Sequence, residues 1–236
     1  MSKIEFFSIV DGLTDTYPVL NSKSIMPSWL KTAQQEYSQM EKYDFHIARC
    51  PGIVDVLTTG YIVRAWHDVA VRSGPSSLET FAPDIALEQL IEKPALQVQK
   101  GDSVAKHIPK RPWSNKSILK INTPWHIISD CKFMMLPISY TDQFEFESCI
   151  GILDPSVSSE INIQGYVNGV GEFTIRAGTP LCQLIPISQQ TYDLVVRDAT
   201  EHDRKWIARR KYYNSIGFNL NKNIVSKAYN KFFKRK

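Results

Sequence analysis

The chain lacks any run of about 18 apolar residues, so no membrane-spanning helix is expected. Its 236 residues include only four cysteines, Cys50, Cys131, Cys149 and Cys182, with no Cys-x-x-Cys pair. That spacing argues against a zinc site or a disulfide scaffold and for small buried side chains in a reducing compartment. Residues Met1-Ser2-Lys3-Ile4-Glu5-Phe6-Phe7 place Glu5, and soon Asp11, where a signal peptide has its apolar core, so secretion is not expected. A phosphate-cradling glycine loop ahead of a helix is missing. Gly165, Gly169 and Gly171 fall in Gly165-Tyr166-Val167-Asn168-Gly169-Val170-Gly171, a hairpin-like turn. No serine sits in a nucleophile-elbow pattern, and the five histidines are scattered.

What is present is globular in composition, with 43% hydrophobic and 22% charged residues. The net charge of +4, from 28 basic and 24 acidic residues, hides a division. From Arg204 onward there are 11 Lys/Arg and no Asp/Glu, which leaves 17 basic and 24 acidic residues before it. The body therefore carries −7 and the tail +11.

The pattern along the chain predicts a mainly β, α+β protein. Met26-Pro27-Ser28-Trp29-Leu30 reads as a turn into a helix through Tyr37, with Ser28 as its cap. Cys50-Pro51-Gly52 reads as a breaker, and Gly60–Arg72 as the first strong strand. Asp84–Leu96 reads as a short helix stopped by Pro94, and Lys106–Lys116 as a loop. Strands are then expected near Ser117–Ile121, Trp125–Leu136, Glu145–Ile150, Glu160–Tyr166, Glu172–Arg176 and Leu181–Ile187. Strand signals every 8–12 residues or so suggest an antiparallel sandwich or barrel. Asp203–Tyr213 and Asn223–Phe233 read as helices, the second with Val225, Ala228, Tyr229 and Phe232 on one face. The division expected is 1–116 as an N-terminal elaboration of the same domain, 117–187 as the β core, and 188–236 as a basic helical tail.

One stretch is specific. Gly151-Ile152-Leu153-Asp154-Pro155-Ser156-Val157-Ser158-Ser159-Glu160-Ile161 precedes Phe173-Thr174-Ile175-Arg176-Ala177-Gly178-Thr179-Pro180-Leu181-Cys182-Gln183-Leu184-Ile185-Pro186. It resembles the dUTPase / dCTP deaminase superfamily, whose third motif the residues from Gly151 match without a gap. The resemblance implies a β-clip antiparallel core over 118–187. It also puts Asp154 at the catalytic aspartate that orients the attacking water, and Gly178 and Gln183 at the glycine and glutamine of the later segment. Thr123-Pro124-Trp125 looks like the turn before the second motif. Pro137-Ile138-Ser139-Tyr140 falls on the second motif itself, so Ser139 joins the implied binding residues. Asp68 echoes the first motif. Pro137–Tyr140 is accordingly expected close to the Asp154 turn. The departures are as informative: Ile138 replaces the phosphate-binding arginine, Val157 the tyrosine that packs on deoxyribose, and Ser159 a glycine. The C-terminal arginine- and glycine-rich lid is missing, with Ser215-Ile216-Gly217-Phe218 only echoing it. An apolar side chain cannot neutralise a triphosphate.

The leading expectation is therefore a non-enzymatic structural or accessory protein on a dUTPase-like β-clip, oligomeric and without cofactor. Pro27-Ser28-Trp29 and Cys50-Pro51-Gly52-Ile53-Val54-Asp55 also look like tailed-bacteriophage proteins, so a virion or host-cytoplasmic setting is expected, with copies of itself or other virion proteins as partners and no membrane. The alternative is a diverged nucleotide hydrolase using Asp154 and magnesium, its missing cation supplied by Lys110, Arg111, Lys116 or tail arginines. A second alternative is a binder of nucleic acid or an acidic protein surface through Arg204, Lys205, Arg209, Arg210 and Lys211.

Overall fold

A computed structural model describes residues 2–38, 47–81, 86–104, 106–141, 144–188 and 190–216. It is mostly β, 41% strand and 23% helix. The strands are β1 (Ser2–Ser8), β2 (Leu20–Asn21), β3 (Tyr61–Arg64), β4 (Val69–Ser73), β5 (Leu78–Phe81), β6 (Leu96–Gln99) and β7 (Ser114–Ile128). They continue with β8 (Phe133–Leu136), β9 (Phe146–Ser148), β10 (Gly151–Leu153), β11 (Glu160–Asn168), β12 (Gly171–Ile175), β13 (Pro180–Pro186) and β14 (Tyr192–Asp198). The helices are α1 (Leu13–Thr16), α2 (Ser28–Tyr37), α3 (Pro51–Thr58), α4 (Ala86–Ile91) and α5 (Glu201–Ile216).

Three sheets result: β14-β1-β7-β11-β9 with β6 also on β7, β10-β8-β13-β3-β2, and β12-β4-β5. Pairing is antiparallel except between β1 and β14, where Ile4 lies beside Leu194 in parallel. The first two sheets meet across one core, in which Phe6 packs edge-on to Tyr61 (5.3 Å between centroids) and Tyr61 to Phe133 (6.5 Å). That core draws buried residues from the first half (Ile4, Val63, Val71) and from the later strands (Leu119, Ile163, Leu184), with Leu194 and Val196 packed against it. The chain therefore folds around one main hydrophobic cluster, with a small second one of Leu30, Ala48 and Leu57 under α2 and α3.

Four sequence expectations are corrected. Gly60–Arg72 is two strands in two sheets, because the Ala65 N–H donates to the Thr179 carbonyl (2.8 Å) and the Ala65 carbonyl accepts from Gly178 N–H (2.7 Å), turning the chain. Pro51 opens α3 rather than breaking structure: at the first helical position its missing N–H has no intrahelical partner to lose. Pro27, not Ser28, is the N-cap of α2, and no side chain caps it. The β7 strand runs unbroken through Thr123-Pro124, where proline would remove a ladder donor. There β11 shifts register between Glu160 and Asn162, and the Thr123 hydroxyl donates to the Ile161 carbonyl (2.6 Å).

The helix expected at Asp84–Leu96 is the shorter α4, and Leu96 belongs to β6. The helix expected over Asn223–Phe233 lies outside the described residues. Cys131 and Cys182 are buried as expected, Cys50 is exposed, and none of the four is in a disulfide. No helix among the described residues is long and apolar enough to cross a membrane.

Candidate functional site

Strand β1 is buried on both faces. Ile4 and Phe6 point into the core, while Glu5 and Phe7 point to the other side, under α5. Phe7 stands directly across from His126 of β7 and stacks on it (5.2 Å, 14° between planes). Trp206 of α5 packs edge-on to Phe7 at 6.4 Å. The helix is anchored along its length: Arg204 donates to the Ile9 carbonyl (2.9 Å) and pairs with Asp11 (2.6 Å). Further along, Arg210 donates to the Pro155 carbonyl (3.0 Å) and Lys211 pairs with Glu92 (3.1 Å).

Between α5 and the sheet lies a cleft of about 130 Å³ lined by His126, Ser158, Ser159, Glu160, Ile207, Arg210 and Lys211. Its floor is the β7–β11 ladder, in which Glu160 pairs with His126. His126 Nδ1 is 3.0 Å from the Ser159 hydroxyl. Lys93 reaches in from the turn after α4 and donates to Glu160 (3.1 Å) and Asn162 (3.2 Å). Burial pushes the His126 imidazole down to about 4, Glu160 opposing and the Lys93, Lys211 and Arg210 cations adding to the shift. Burial also lowers the Lys93 ammonium, against the pull of Glu160. Burial alone would raise the Glu160 carboxyl, but the Lys93 ammonium holds it below its usual value. At neutral pH the imidazole is therefore uncharged. The cations around the cleft are engaged: Lys93 with Glu160, Lys211 with Glu92, and Arg210 with the Pro155 carbonyl.

The structure brings two sequence-named cations, Arg210 and Lys211, to this cleft and sets Arg210 against the Asp154 turn. Asp154 itself is committed to that turn. Its carboxylate accepts from the Ser156 N–H (3.0 Å) and hydroxyl (2.6 Å), and pairs with Lys132 (3.2 Å). Its carbonyl accepts from the N–H groups of Val157 and Ser158, both at 2.9 Å. Burial tends to raise the Asp154 carboxyl, but Ser156 and Lys132 hold it below its usual range.

The expected neighbourhood of Asp154 and Pro137–Tyr140 is not found. Strand β10 runs antiparallel to β8 with Leu153 beside Phe133 and Gly151 beside Met135. Asp154 therefore sits by Lys132 at one end of the ribbon and Pro137 leaves from the other, roughly 16 Å away at about 3.3 Å per residue. Ser139 is exposed there, next to Tyr140, whose carbonyl accepts from Trp29 Nε1 (2.9 Å). Gln183 is buried, and its amide donates to the Val56 and Thr59 carbonyls (both 2.6 Å), tying β13 to the end of α3. Asp68 accepts from the Ala177 N–H (2.7 Å) and pairs with Arg176 (3.2 Å), closing a turn. Arg111 is paired with Glu147 and lies over the Tyr166 ring. Of the remaining tail cations, Lys205 pairs with Glu201 one turn back (2.6 Å), and Arg209 is exposed with no partner among the described residues.

Sequence reasoning missed His126, Lys93, Ser158, Ser159 and Glu160 as a group. The alternation Trp125-His126-Ile127 does place His126 on the face away from the core, but nothing local says that a helix covers that face. Among the described residues no cluster of His, Cys, Asp and Glu is arranged to hold a metal. Compared with family models, curated proteins and solved structures, the chain matches none.

Proposed function

We propose that this is a non-enzymatic structural or accessory module that works by assembly, on a framework related to the dUTPase-like β-clip. The ungapped run Gly151–Ile161, apart from Val157 and Ser159, supports the framework; the separation of Asp154 from Pro137–Tyr140 speaks against it. The observation that carries the non-enzymatic reading is the commitment of the Asp154 carboxylate to Ser156 and Lys132. A water-orienting carboxylate needs an oxygen aimed at substrate beside cations that neutralise phosphate. Here the carboxylate organises its own chain, as Asp does in turns. Gln183, engaged by two backbone carbonyls, has likewise a structural use. The resemblance to tailed-phage proteins favours a virion or accessory role over a housekeeping one.

The test is an assay of all deoxynucleoside triphosphates with magnesium. The expected outcome is no turnover above background. Turnover that disappears in Asp154→Ala would replace this reading with the hydrolase alternative.

A further inference from the structure

Sheet edges distinguish one strand from the rest. Open edges attract other strands, and proteins blunt them with charge, brevity or covering segments. Edge strands β5, β9, β12 and β14 each carry an acidic residue in the strand, Glu79, Glu147, Glu172 and Asp193. Strand β2 has two residues, and β6 alternates with glutamines. Strand β10, at the end of its sheet, is short, with three residues, but carries no charge and has no cover among the described residues. Its stretch Ile150-Gly151-Ile152-Leu153 is uncharged, and among the described residues only β8 pairs with it.

The outer face beside that edge is also apolar and open. Ile152 lies across from Met134, and Met134 from Ile185, forming one row across three strands. Ile150 is 72% exposed, Ile152 58% and Met134 39%. Ile187, next along the same face of the chain after β13, is 50% exposed. Helix α3 roofs the other half of this face, where Gln183 reaches Val56 and Thr59. The half toward β10 has no roof among the described residues.

We propose that β10 pairs antiparallel with β10 of a second copy of this chain, joining two five-stranded sheets into one. This rests on the assembly reading above and names its surface. The choice of a second copy follows from symmetry and charge. An antiparallel pair of identical strands is self-complementary about a two-fold axis, and each side chain near the axis meets its own kind or a close neighbour. A charged residue there would face a like charge, which is destabilising. Strand β10 has none, whereas β9 would oppose glutamates. With Gly151 on the axis, Ile150 of each copy faces Ile152 of the other. The four isoleucines and two Met134 side chains then form one covered apolar strip. The inner side at Gly151 is open, with nothing within 4 Å of where a Cβ would stand.

Sedimentation velocity on the full chain tests this, with Ile152→Lys at the edge and Phe144→Lys as a control on a distant, 70% exposed apolar residue. The expected result is a dimer whose dissociation constant rises about 100-fold or more in Ile152→Lys and is unchanged in Phe144→Lys. The melting temperature of the Ile152→Lys monomer reports that it is folded. As an independent arm, Gly151→Cys should form an inter-chain disulfide on air oxidation, since directly opposed residues in an antiparallel pair have Cα atoms about 4.5–5.5 Å apart. A wild-type chain that stays monomeric at about 100 µM overturns both this proposal and the assembly reading. An oligomer that survives Ile152→Lys, or is lost in Phe144→Lys, overturns the β10 surface and leaves the assembly reading standing.

Discussion

His126 shows how one residue acquires an unusual property from surroundings far away in sequence. It lies between Phe7 and the cations of α5, is almost fully buried, and its imidazole is pushed down to about 4. The ordinary value of about 6.5 applies to the unfolded chain. Between these two values the unfolded state binds more protons than the folded one, so stability falls as pH drops through that window. The contribution of His126 is complete above about pH 6.5 and gone below about pH 4. Thermal melts from pH 7 to 4.5 should therefore show a decline that is smaller in His126→Gln, and the His126 ring should not titrate near pH 6.5 by NMR. Asp154 is the opposite case. Its turn is built by Asp154, Ser156, Val157 and Ser158, all within five residues, so the structural role was readable locally as turn chemistry.

Among the elements, α5 is the one whose start can be derived from its residues. Thr200 and Asp203 form a reciprocal cap: the Thr200 N–H donates to Asp203 (2.8 Å), and the Asp203 N–H donates to the Thr200 hydroxyl (3.2 Å). Asp203 is fully buried and also holds Arg197 of β14 (2.6 Å), which in turn pairs with Glu5 of β1. One carboxylate thus caps the helix and ties it to the parallel β1–β14 pair. Thr200→Ala should cost about 1 kcal/mol, the usual value of an N-cap. Asp203→Ala should cost more, roughly 2–3 kcal/mol, because it removes the cap and leaves Arg197 half-buried with one partner fewer. Urea denaturation of both variants measures the difference. The helix was legible over Asp203–Tyr213 and begins two residues earlier, at Glu201. Strands β1, β14 and β10 were not legible as strands. The first mixes Lys3 and Glu5 with its apolar residues, the second is half-polar, and β10 has only three residues.

For the whole molecule, the decisive arrangement is a sheet packed on both sides. One face of β14-β1-β7-β11-β9 meets the second sheet, and the other receives α5. The basic helix is thereby docked on the acidic body it follows, through Arg204, Arg210 and Lys211. Phe7 is the centre of that second layer, touching His126 and Trp206, with the Arg197 guanidinium 5.3 Å over its ring. Phe7→Ala should cost about 3–5 kcal/mol, as for other fully buried aromatics, and should loosen α5. Phe144→Ala, at an exposed ring, should cost almost nothing. Denaturant melts followed by far-ultraviolet circular dichroism and tryptophan fluorescence separate the two.

The sequence alone determined the mainly β character, most later strands, the Asp154 turn and the charge division. Each of these is written in a window of a few residues through period-two alternation, turn residues or composition. Only the tertiary structure decided that Gly60–Arg72 splits between two sheets, that β1 lies parallel to β14, and that His126, Glu160 and Lys93 share a cleft with Arg210. Strand pairing is set by burial and register across the whole chain, and a one-residue slip would turn every side chain to the other face. No local window carries that information: Ile4 and Leu194 become neighbours because, among all possible pairings, this one buries the apolar faces of both strands while Arg197 finds Glu5 and Asp203.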